Sequence, residues 1–404
     1  MLDSTLPRTT PPIYTERTTC RMCHGTRWIK YLDFGHLYLI DFVKEADKKL
    51  PRAPLQLMRC TECGLIQLAH TVVPDLMWRH YGYKSGVNAT MRGALEDVVK
   101  YGMQFHTHGS WLDIGANDGT LLSYVPTSFH KVGVEPALNL TNHLARHAHE
   151  VHADYFSAGL ISQPSFEIIT SCAMFYDLDD PHRFIEDVKS CLAPDGIWIN
   201  QLSDTAQMIQ QNAFDNICHE HACHYDIATL DRLYRQHDLK IVGIRLNDVN
   251  GGSMRVAAAP NQSSFSAHQV GIMDVPAVSE QDLERFCQRV VKWKTLMLRL
   301  LDAVWSDGPI WLYGASTKAA MFLQYLDQNH RFVGAADRNP AKFGLVMAGT
   351  WIPITDEETF RKAKPAYALV GPWAFEKEIL ERERITRAHG TTFILPLPNP
   401  RFVL

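Results

Sequence analysis

Four of the nine cysteines stand in two C-x2-C pairs, Cys20/Cys23 and Cys60/Cys63. Each pair can present two thiolates from one tight turn, and two such turns supply the four sulfur ligands that tetrahedral zinc accepts. Four unliganded thiols would leave the repeated spacing unexplained, and a redox C-x-x-C motif has no need of a second copy. The pattern therefore predicts a structural zinc site near the N-terminus.

A second group of reactive side chains occupies residues 214–221, which read F-D-N-I-C-H-E-H. Histidine and cysteine at short spacings can bind a metal. A histidine that titrates near neutral pH can instead remove a proton while a neighbouring acid or phenol assists. A polar strand end with structurally hydrogen-bonded histidines is a third interpretation, and no recurrent ligand spacing such as H-E-x-x-H decides between them. The residues alone leave all three open.

Two glycine-containing loops have the sequence context of ligand-binding turns. Residues 115–119 (G-A-N-D-G) follow a short apolar run at 111–114, and Glu135 ends the next apolar run. Without a P-loop lysine and the full G-x-G-x-x-G spacing, this loop is not a nucleoside triphosphate site, but an acid at the end of the next strand can hold ribose hydroxyls. Residues 314–318 (G-A-S-T-K) also follow an apolar run, and their N–H groups, hydroxyls and ammonium group suit a diphosphate. A helix cap with a surface lysine is the alternative for this second loop.

The elements that must position these loops alternate between strand and helix. Apolar runs at 111–114, 131–134, 166–170 and 197–200 predict strands, with a helix over 182–192 and a turn over 193–196. The pattern resumes with strands predicted at 310–313, 331–336 and 367–370. Such alternation is typical of an α/β fold with parallel sheets covered on both faces. Between the two units, apolar positions at helical spacing predict a long amphipathic helix over 282–305 that braces two domains.

The composition is that of a globular protein, with 404 residues, 46% hydrophobic residues and 21% charged residues. This length predicts two or three domains and excludes both a small disulfide scaffold and wholesale disorder. The net charge of -4 gives no general electrostatic reason to bind nucleic acid or an anionic membrane. Because neither a secretory signal nor an apolar run of about 18 residues is present, we expect a cytoplasmic protein that acts on a small molecule.

Read in chain order, the motifs resemble the nucleotide-sugar C-methyltransferases, which add a methyl branch to 4-keto-6-deoxyhexoses. The resemblance covers nearly the whole chain and rests on the cysteine pairs and on these motifs: Y-G-Y-K-S-G at 81–86, D-I-G-A-N-D-G at 113–119, G-V-E-P-A around Glu135, F-D-N-I-C-H-E-H at 214–221, N-G-G-S-M-R at 250–255, Y-G-A-S-T-K at 313–318, D-R-N-P at 337–340 and G-P-W at 371–373.

This resemblance implies three domains: a zinc-binding domain over 1–78, a class I methyltransferase domain with a doubly wound sheet over 79–245, and a Rossmann-like domain over 246–404 that helps bind a nucleotide-diphosphate sugar. The implied cofactors are S-adenosylmethionine and structural zinc. The implied reaction is methylation of C3 of the ketosugar through an enolate, by a monomer or small homo-oligomer. The alternatives are O- or C-methylation of another nucleotide sugar or small molecule, an inactive nucleotide-sugar-binding protein, and a metallohydrolase that uses His219, His221 and His224.

The resemblance also assigns roles to individual residues. His221 is the expected base, and Glu220 and His219 orient it or contact sugar. Other members carry a histidine after the fourth core strand, where this chain reads C-A-M-F-Y-D, so Tyr176 is expected to replace that donor. They also often have a tyrosine immediately before H-E-H, where this chain has Cys218.

The remaining expected site residues fall into three groups. Two tyrosines are expected to contact the enolate or line the methyl-transfer site: Tyr81 and Tyr83. The cofactor is expected to contact Ser85, Asp113, Gly115, Asn117, Asp118, Gly119, Glu135 and Asp154. The substrate is expected to contact Gly251, Ser253, Arg255, Ser316, Thr317, Lys318 and Arg338.

Overall fold

A computed structural model describes residues 12–39, 42–44, 50–162, 165–266 and 277–403 of the chain. The N-terminal elements are β1 (Tyr14–Glu16), β2 (Trp28–Tyr38), β3 (Phe42–Val43), β4 (Arg52–Cys60), β5 (Ile66–Leu68), β6 (His70–Val72) and α1 (Asp75–Trp78). Strands β2, β4 and β5 pair in antiparallel fashion, and the turns that flank them carry the two cysteine pairs.

The central domain follows as a second sheet with helices. Its elements are α2 (Ala89–Gly102), β7 (Gly109–Ile114), α3 (Thr120–Tyr124), β8 (Phe129–Val134), α4 (Thr141–Leu144), β9 (Glu150–His152), β10 (Phe166–Cys172), α5 (Pro181–Cys191), β11 (Leu192–Ser203), α6 (Thr205–Gln210), β12 (Cys223–His224), α7 (Ile227–Arg235), β13 (Leu239–Asn247) and β14 (Ser253–Pro260).

The central sheet has the strand order β13-β14-β11-β10-β7-β8-β9. Strands β9, β8, β7, β10 and β11 run parallel, and β14 pairs with β11 in the opposite direction. The apolar residues of β7, β8 and β10 are almost fully buried because helices cover both faces of the sheet. The α/β fold class with a doubly wound sheet is therefore confirmed.

The predicted strands of this domain are present, and one detail differs. The turn expected over 193–196 lies within β11, which begins at Leu192. Its residues nevertheless loop out of the ladder, because Leu192 pairs with Phe166 and the next pair is Ile197 with Ile168. The sequence therefore identified the irregularity but not the strand that continues on both sides of it.

The hairpin β13/β14 closes the central sheet at one edge. The domain boundary expected after residue 245 falls within β13, and β14 hydrogen-bonds to β11 along residues 253–258. Ser253 and Arg255, expected in the C-terminal domain, thus lie on a strand of the central sheet.

The C-terminal domain is a second α/β unit. Its elements are α8 (Glu280–Trp305), β15 (Ile310–Tyr313), α9 (Thr317–Leu326), β16 (Phe332–Asp337), β17 (Val346–Met347), β18 (Ile354–Asp356), α10 (Glu357–Ala363), β19 (Tyr367–Val370), α11 (Glu376–Arg382), α12 (Arg384–Ala388), β20 (Thr392–Leu395) and β21 (Arg401–Val403). The sheet has the order β18-β16-β15-β19-β20-β21, parallel except for β21.

Helix α8 packs against strands of the N-terminal domain and against the C-terminal sheet. It begins with a capping box between Ser279 and Asp282, and its apolar stripe is buried along the whole length. The stripe includes Leu301, whereas Leu300 is only partly buried. Residues from β2, β4, the 208–218 segment and the C-terminal sheet share its core. None of the helices in the described part of the chain combines the length and apolar character needed to cross a bilayer.

Candidate active site

A cavity of about 750 Å³ lies between the carboxyl edge of the central sheet and the loops of the C-terminal domain. The N-terminal domain closes a third side through residues 70–74. The expected site residues that line this cavity are Tyr81, Tyr83, Ser85, Asp113, Gly115, Asn117, Glu135, Tyr176, His219, Glu220, His221, Ser253, Ser316, Thr317, Lys318 and Arg338. The chain therefore brings most of them, from the central and C-terminal domains, into one site.

Two expected contacts lie outside the cavity lining. The Arg255 guanidinium is buried and paired with Asp97 at 2.7 Å, so the structure does not place it as a phosphate ligand. Asp154 is exposed and accepts a hydrogen bond from Arg79 at 2.9 Å.

Three further residues that we expected to contact ligands do not line the cavity themselves: Asp118, Gly119 and Gly251. Gly119 ends the glycine loop in a left-handed conformation, with φ of +81°. Asp118 accepts from the backbone N–H of Gly86. Gly251 is so close to Trp373 that a Cβ would lie 3.2 Å from the indole.

The glycine loop after β7 is held by the acid at the end of β8. One carboxylate oxygen of Glu135 accepts from the N–H of Asn117 at 2.7 Å, and the other accepts from the N–H of Ala137 at 2.8 Å. Gly115 has φ of +70°, where a side chain is strained. Burial raises the pKa of Glu135, and the two N–H donors oppose that shift. A backbone turn beside a buried carboxylate fits the ribose and amino-acid ends of S-adenosylmethionine.

Residues 81–86 cover this loop and are fixed to it by side chains of the central domain. The Asn117 amide accepts from the N–H of Ser85 at 3.0 Å and donates to the carbonyl of Tyr83 at 3.2 Å. The Asn139 amide makes the same pair of bonds with the backbone of Tyr81. The two tyrosines are therefore positioned by backbone contacts, and their rings remain available to the cavity.

Asp113 lies one residue before the end of β7 and lines the cavity. Its carboxylate accepts from the Thr170 hydroxyl at 2.7 Å. Burial raises the pKa of Asp113 to about 7, with the Thr170 hydrogen bond acting against the shift and the charge of Glu135 adding to it. This carboxyl can therefore exist in either protonation state near neutral pH.

His221 has the orientation of a base. Its Nδ1 lies 2.6 Å from the Asn216 carbonyl, which can only accept, so Nδ1 carries the proton and Nε2 has a free lone pair. The Tyr176 ring packs edge-on against the imidazole, with centroids 4.4 Å apart. Burial, followed by the charges of His224 and Lys318, lowers the pKa of His221 to about 3. The imidazole is therefore neutral at physiological pH.

Sequence reasoning missed Asp177, which lines the cavity next to Tyr176. Its Oδ1 is buried without a hydrogen-bond partner. Burial and the neighbouring Glu220 carboxylate raise the pKa of Asp177 well above its usual range. The Asp177 carboxyl therefore favours its protonated form. The signal in the sequence was its place at the end of the fourth core strand, where the resemblance already expected a proton donor.

His219, which we expected to orient His221 or to contact sugar, hydrogen-bonds to the N-terminal domain. His219 borders the cavity, but its Nε2 lies 3.0 Å from the Ala53 carbonyl and donates to it. Burial lowers the pKa of His219 to about 4. Among the described residues, the groups close enough to share a metal are the four cysteines and the set Cys218, Glu220 and His221. The metallohydrolase interpretation, which requires His219 and His224 beside His221, is therefore wrong.

The opposite wall of the cavity is cationic. The Ser316 hydroxyl caps α9, whose N-terminal residues Thr317 and Lys318 face the cavity. Arg338, Lys342 and Arg382 line the same wall, with Glu378 bonded to both arginines. Lys342 and Arg382 were missed because no motif marks them. Hydroxyls, backbone N–H groups and cations around a helix N-terminus suit a diphosphate.

A buried hydrogen bond joins the two walls. The Trp373 indole N–H donates to the Asp215 carboxylate at 2.7 Å. Asp215 is fully buried, and burial raises its pKa while the Lys318 ammonium lowers it. The segment that bears His221 is thus attached directly to the C-terminal domain.

The four cysteines have the geometry of a zinc site. Sγ of Cys20 lies 3.6 Å from Sγ of Cys63, and Sγ of Cys23 lies 3.5 Å from Sγ of Cys60. Tetrahedral zinc with Zn–S bonds of 2.3 Å separates its sulfur ligands by about 3.8 Å. The Gln67 amide donates to Sγ of Cys20 at 3.1 Å, as an outer-shell partner does. The residues fit the metal.

Comparison with known families finds three matches along the chain. Residues 20–78 match a zinc binding domain, residues 87–244 a methyltransferase domain, and residues 248–398 a C-methyltransferase C-terminal domain. The chain is also 27% identical to the C-methyltransferase NovU of Streptomyces niveus over 95% of this chain and 96% of that protein. The chain is a methyltransferase. Its cofactors are S-adenosylmethionine and zinc.

Solved structures similar to this methyltransferase align over a smaller part of the chain. An S-adenosylmethionine-dependent methyltransferase from Clostridium acetobutylicum has 11% identity and a TM-score of 0.35, covering 42% of this chain and 92% of that one. The magnesium protoporphyrin IX methyltransferase ChlM from Synechocystis has 9% identity and a TM-score of 0.34, covering 42% and 79%.

Arg21 connects the zinc site of the methyltransferase to the cavity wall. Its buried guanidinium donates to Asp179 at 2.9 Å, to the Thr71 hydroxyl at 2.8 Å and to the Leu68 carbonyl at 2.6 Å. Thr71 and Asp179 line the cavity, and Asp179 lies two residues after Asp177. The zinc-binding turn therefore positions the loop that carries Tyr176 and Asp177.

We expect Arg21→Met to lower the free energy of unfolding by at least about 2 kcal/mol, because it leaves several buried acceptors without a donor. Arg17→Met is the matched control, since Arg17 bonds the same Asp179 from a more exposed position and should cost less than about 1 kcal/mol. Urea titration measures both, and metal analysis should still find the tetracysteine zinc. Equal losses in the two variants would contradict the assigned role of Arg21.

We expect Glu135→Gln to weaken S-adenosylmethionine binding about tenfold or more, because an amide offers one acceptor where the loop and the ribose need two. Glu150→Gln on the neighbouring strand β9 is the control and should bind with unchanged affinity. Isothermal calorimetry measures both. Equal affinities would show that Glu135 does not form the cofactor site.

Proposed function

We propose that this enzyme transfers the methyl group of S-adenosylmethionine to C3 of a nucleotide-linked 4-keto-6-deoxyhexose through an enolate. The observation that carries the proposal is the placement of His221, with a fixed tautomer and a free Nε2, in one cavity between the glycine loop and the cationic wall. The cavity would thus hold the methyl donor at the glycine loop, a base at its middle wall and a diphosphate at the cationic wall. This order matches a substrate that has a reactive sugar at one end and an anionic group at the other.

In this reaction Nε2 of His221 removes the proton from C3, beside the C4 ketone, and the electron pair moves onto the ketone oxygen. The tautomer is held by the Asn216 carbonyl, so the imidazole needs no rearrangement before it accepts the proton. Bound S-adenosylmethionine supplies the electrophilic methyl group for the new carbon–carbon bond. The cofactor without its methyl group is a thioether, which is the leaving group.

The developing enolate oxygen needs donors that stay protonated. Burial raises the pKa values of Tyr81 and Tyr176 well above their usual range, and Glu220 and Asp177 add to the shift in both. Burial raises the pKa of Tyr83 to about 12 although 40% of the side chain remains exposed within the open cavity. These phenols can donate hydrogen bonds without losing their protons. Asp177, with its raised pKa, adds a protonated carboxyl beside them.

The cationic wall supports a nucleotide diphosphate as the rest of the substrate. Lys318 and Arg338 face the cavity from the loops after β15 and β16, and Ser316 and Thr317 add hydroxyls. NovU, which the chain resembles over most of its length, is described as a C-methyltransferase. Transfer to carbon rather than oxygen is consistent with a histidine base at the cavity centre.

Mass spectrometry of the enzyme with S-adenosylmethionine and a panel of dTDP- and GDP-linked 4-keto-6-deoxyhexoses, run in heavy water, tests the proposal. We expect methyl transfer to one sugar and, without the methyl donor, deuterium exchange beside the ketone. His221→Asn should lower both rates about 10²–10⁴-fold while nucleotide binding persists. His130→Asn, on strand β8 and outside the cavity lining, should keep both rates. Full turnover by His221→Asn would remove His221 as the base.

The pH dependence of kcat/KM should reveal the effect of the Lys318 charge on the pKa of His221. The Lys318 ammonium contributes to the lowered pKa of His221, so Lys318→Met should move the acid limb of the profile to higher pH. The same change should lower kcat/KM about tenfold or more by loss of a phosphate contact. Arg338→Met, which removes a charge farther along the wall, should lower kcat/KM without moving the limb. An unmoved limb in Lys318→Met would contradict the coupling.

A further inference from the structure

Three side chains of different chemistry converge beside the expected base. Sγ of Cys218, a carboxylate oxygen of Glu220 and a ring nitrogen of His221 lie within 4.8 Å of one another. Thiolate, carboxylate and imidazole are all zinc ligands, with bond lengths of about 2.0–2.3 Å, so a modest contraction brings them around one ion. Cys218 is the residue that sets this chain apart from relatives with a tyrosine before H-E-H.

The orientation of His221 is a second, independent indication. Its Nδ1–H donates to the Asn216 carbonyl at 2.6 Å, which directs the Nε2 lone pair away from the backbone. Metal-binding histidines characteristically donate their other ring N–H to a carbonyl or carboxylate in this way. The backbone N–H of His221 also donates to the Cys218 carbonyl at 3.1 Å, so a tight turn holds both residues on one side.

The surrounding charges permit a cation but limit its affinity. The Asp177 carboxyl lies beside the cluster, and a bound divalent ion would favour its ionised form. The Lys318 ammonium acts on both Cys218 and His221 and opposes the ion. Three protein ligands also leave one coordination position open to the cavity. The site should therefore bind zinc more weakly than the four cysteines do.

We propose that Cys218, Glu220 and His221 form a second zinc site, and that its occupation inhibits methyl transfer. The ion would take the Nε2 lone pair that removes the substrate proton, so zinc and proton abstraction exclude each other. The inhibitory part rests on the proposed function, whereas metal binding does not.

Metal content of the full-length enzyme, measured over a range of buffered free zinc concentrations, tests the site. We expect one equivalent per chain at low free zinc and a second at higher free zinc. Cys218→Ser and His221→Ala should each retain the first equivalent, which shows that the zinc domain is folded, and bind the second at least about 10–100-fold more weakly. Cys287→Ser, a cysteine outside the cavity, is the matched control and should keep both. Cobalt added to enzyme that holds only the first equivalent of zinc should enter the second site and give a thiolate charge-transfer band. Cys218→Ser should lose this band and Cys287→Ser should keep it.

A single equivalent in the wild type, or a second equivalent that survives Cys218→Ser, would overturn the site. The inhibitory part is read separately from deuterium exchange and methyl transfer, which should fall as the second equivalent binds and return on chelation. Persistent exchange with the second site occupied would overturn the inhibition alone. If no sugar nucleotide is turned over, the zinc titration still decides whether the site exists.

Discussion

The antiparallel pairing of β12 with β5 determines where His221 and the other proposed acid/base residues lie. Cys223 pairs with Gln67 and His224 with Ile66, and the N–H of Leu68 donates to the Ala222 carbonyl at 2.9 Å. Because His221 immediately precedes this pairing, its position is set by a strand of the zinc-binding domain rather than by the methyltransferase sheet.

The zinc site therefore does more than fold a small domain. Its cysteines share a buried core with Phe175, Trp198 and Tyr225 of the central domain. The hydrogen bond from Gln67 to Cys20 and the bonds of Arg21 extend from the metal turn toward both sides of the cavity. Metal binding free energy is folding free energy in such domains, so part of it here orders the residues that we propose to handle the proton.

Much of this organisation could be predicted from the sequence, because its signals are local. The cysteine spacing, the loop at 115–119 with Glu135, and the alternation of strands and helices each follow from residues close together in the chain. The roles of Arg255 and Asp154 could not be predicted this way. Their partners, Asp97 and Arg79, are 158 and 75 residues away. Asp177, Lys342 and Arg382 also lack a motif, because only the folded cavity gives them a common surface.

The buried bond between Trp373 and Asp215 has a consequence for the evolution and engineering of this enzyme. The C-terminal domain that carries the cationic wall is not an independent unit, because its Trp373 indole donates to a carboxylate in the segment that carries the proposed base. Replacing that domain with one that lacks the tryptophan would leave the buried Asp215 carboxylate without this donor. Acceptor preference and base placement are therefore expected to be inherited together as a linked unit.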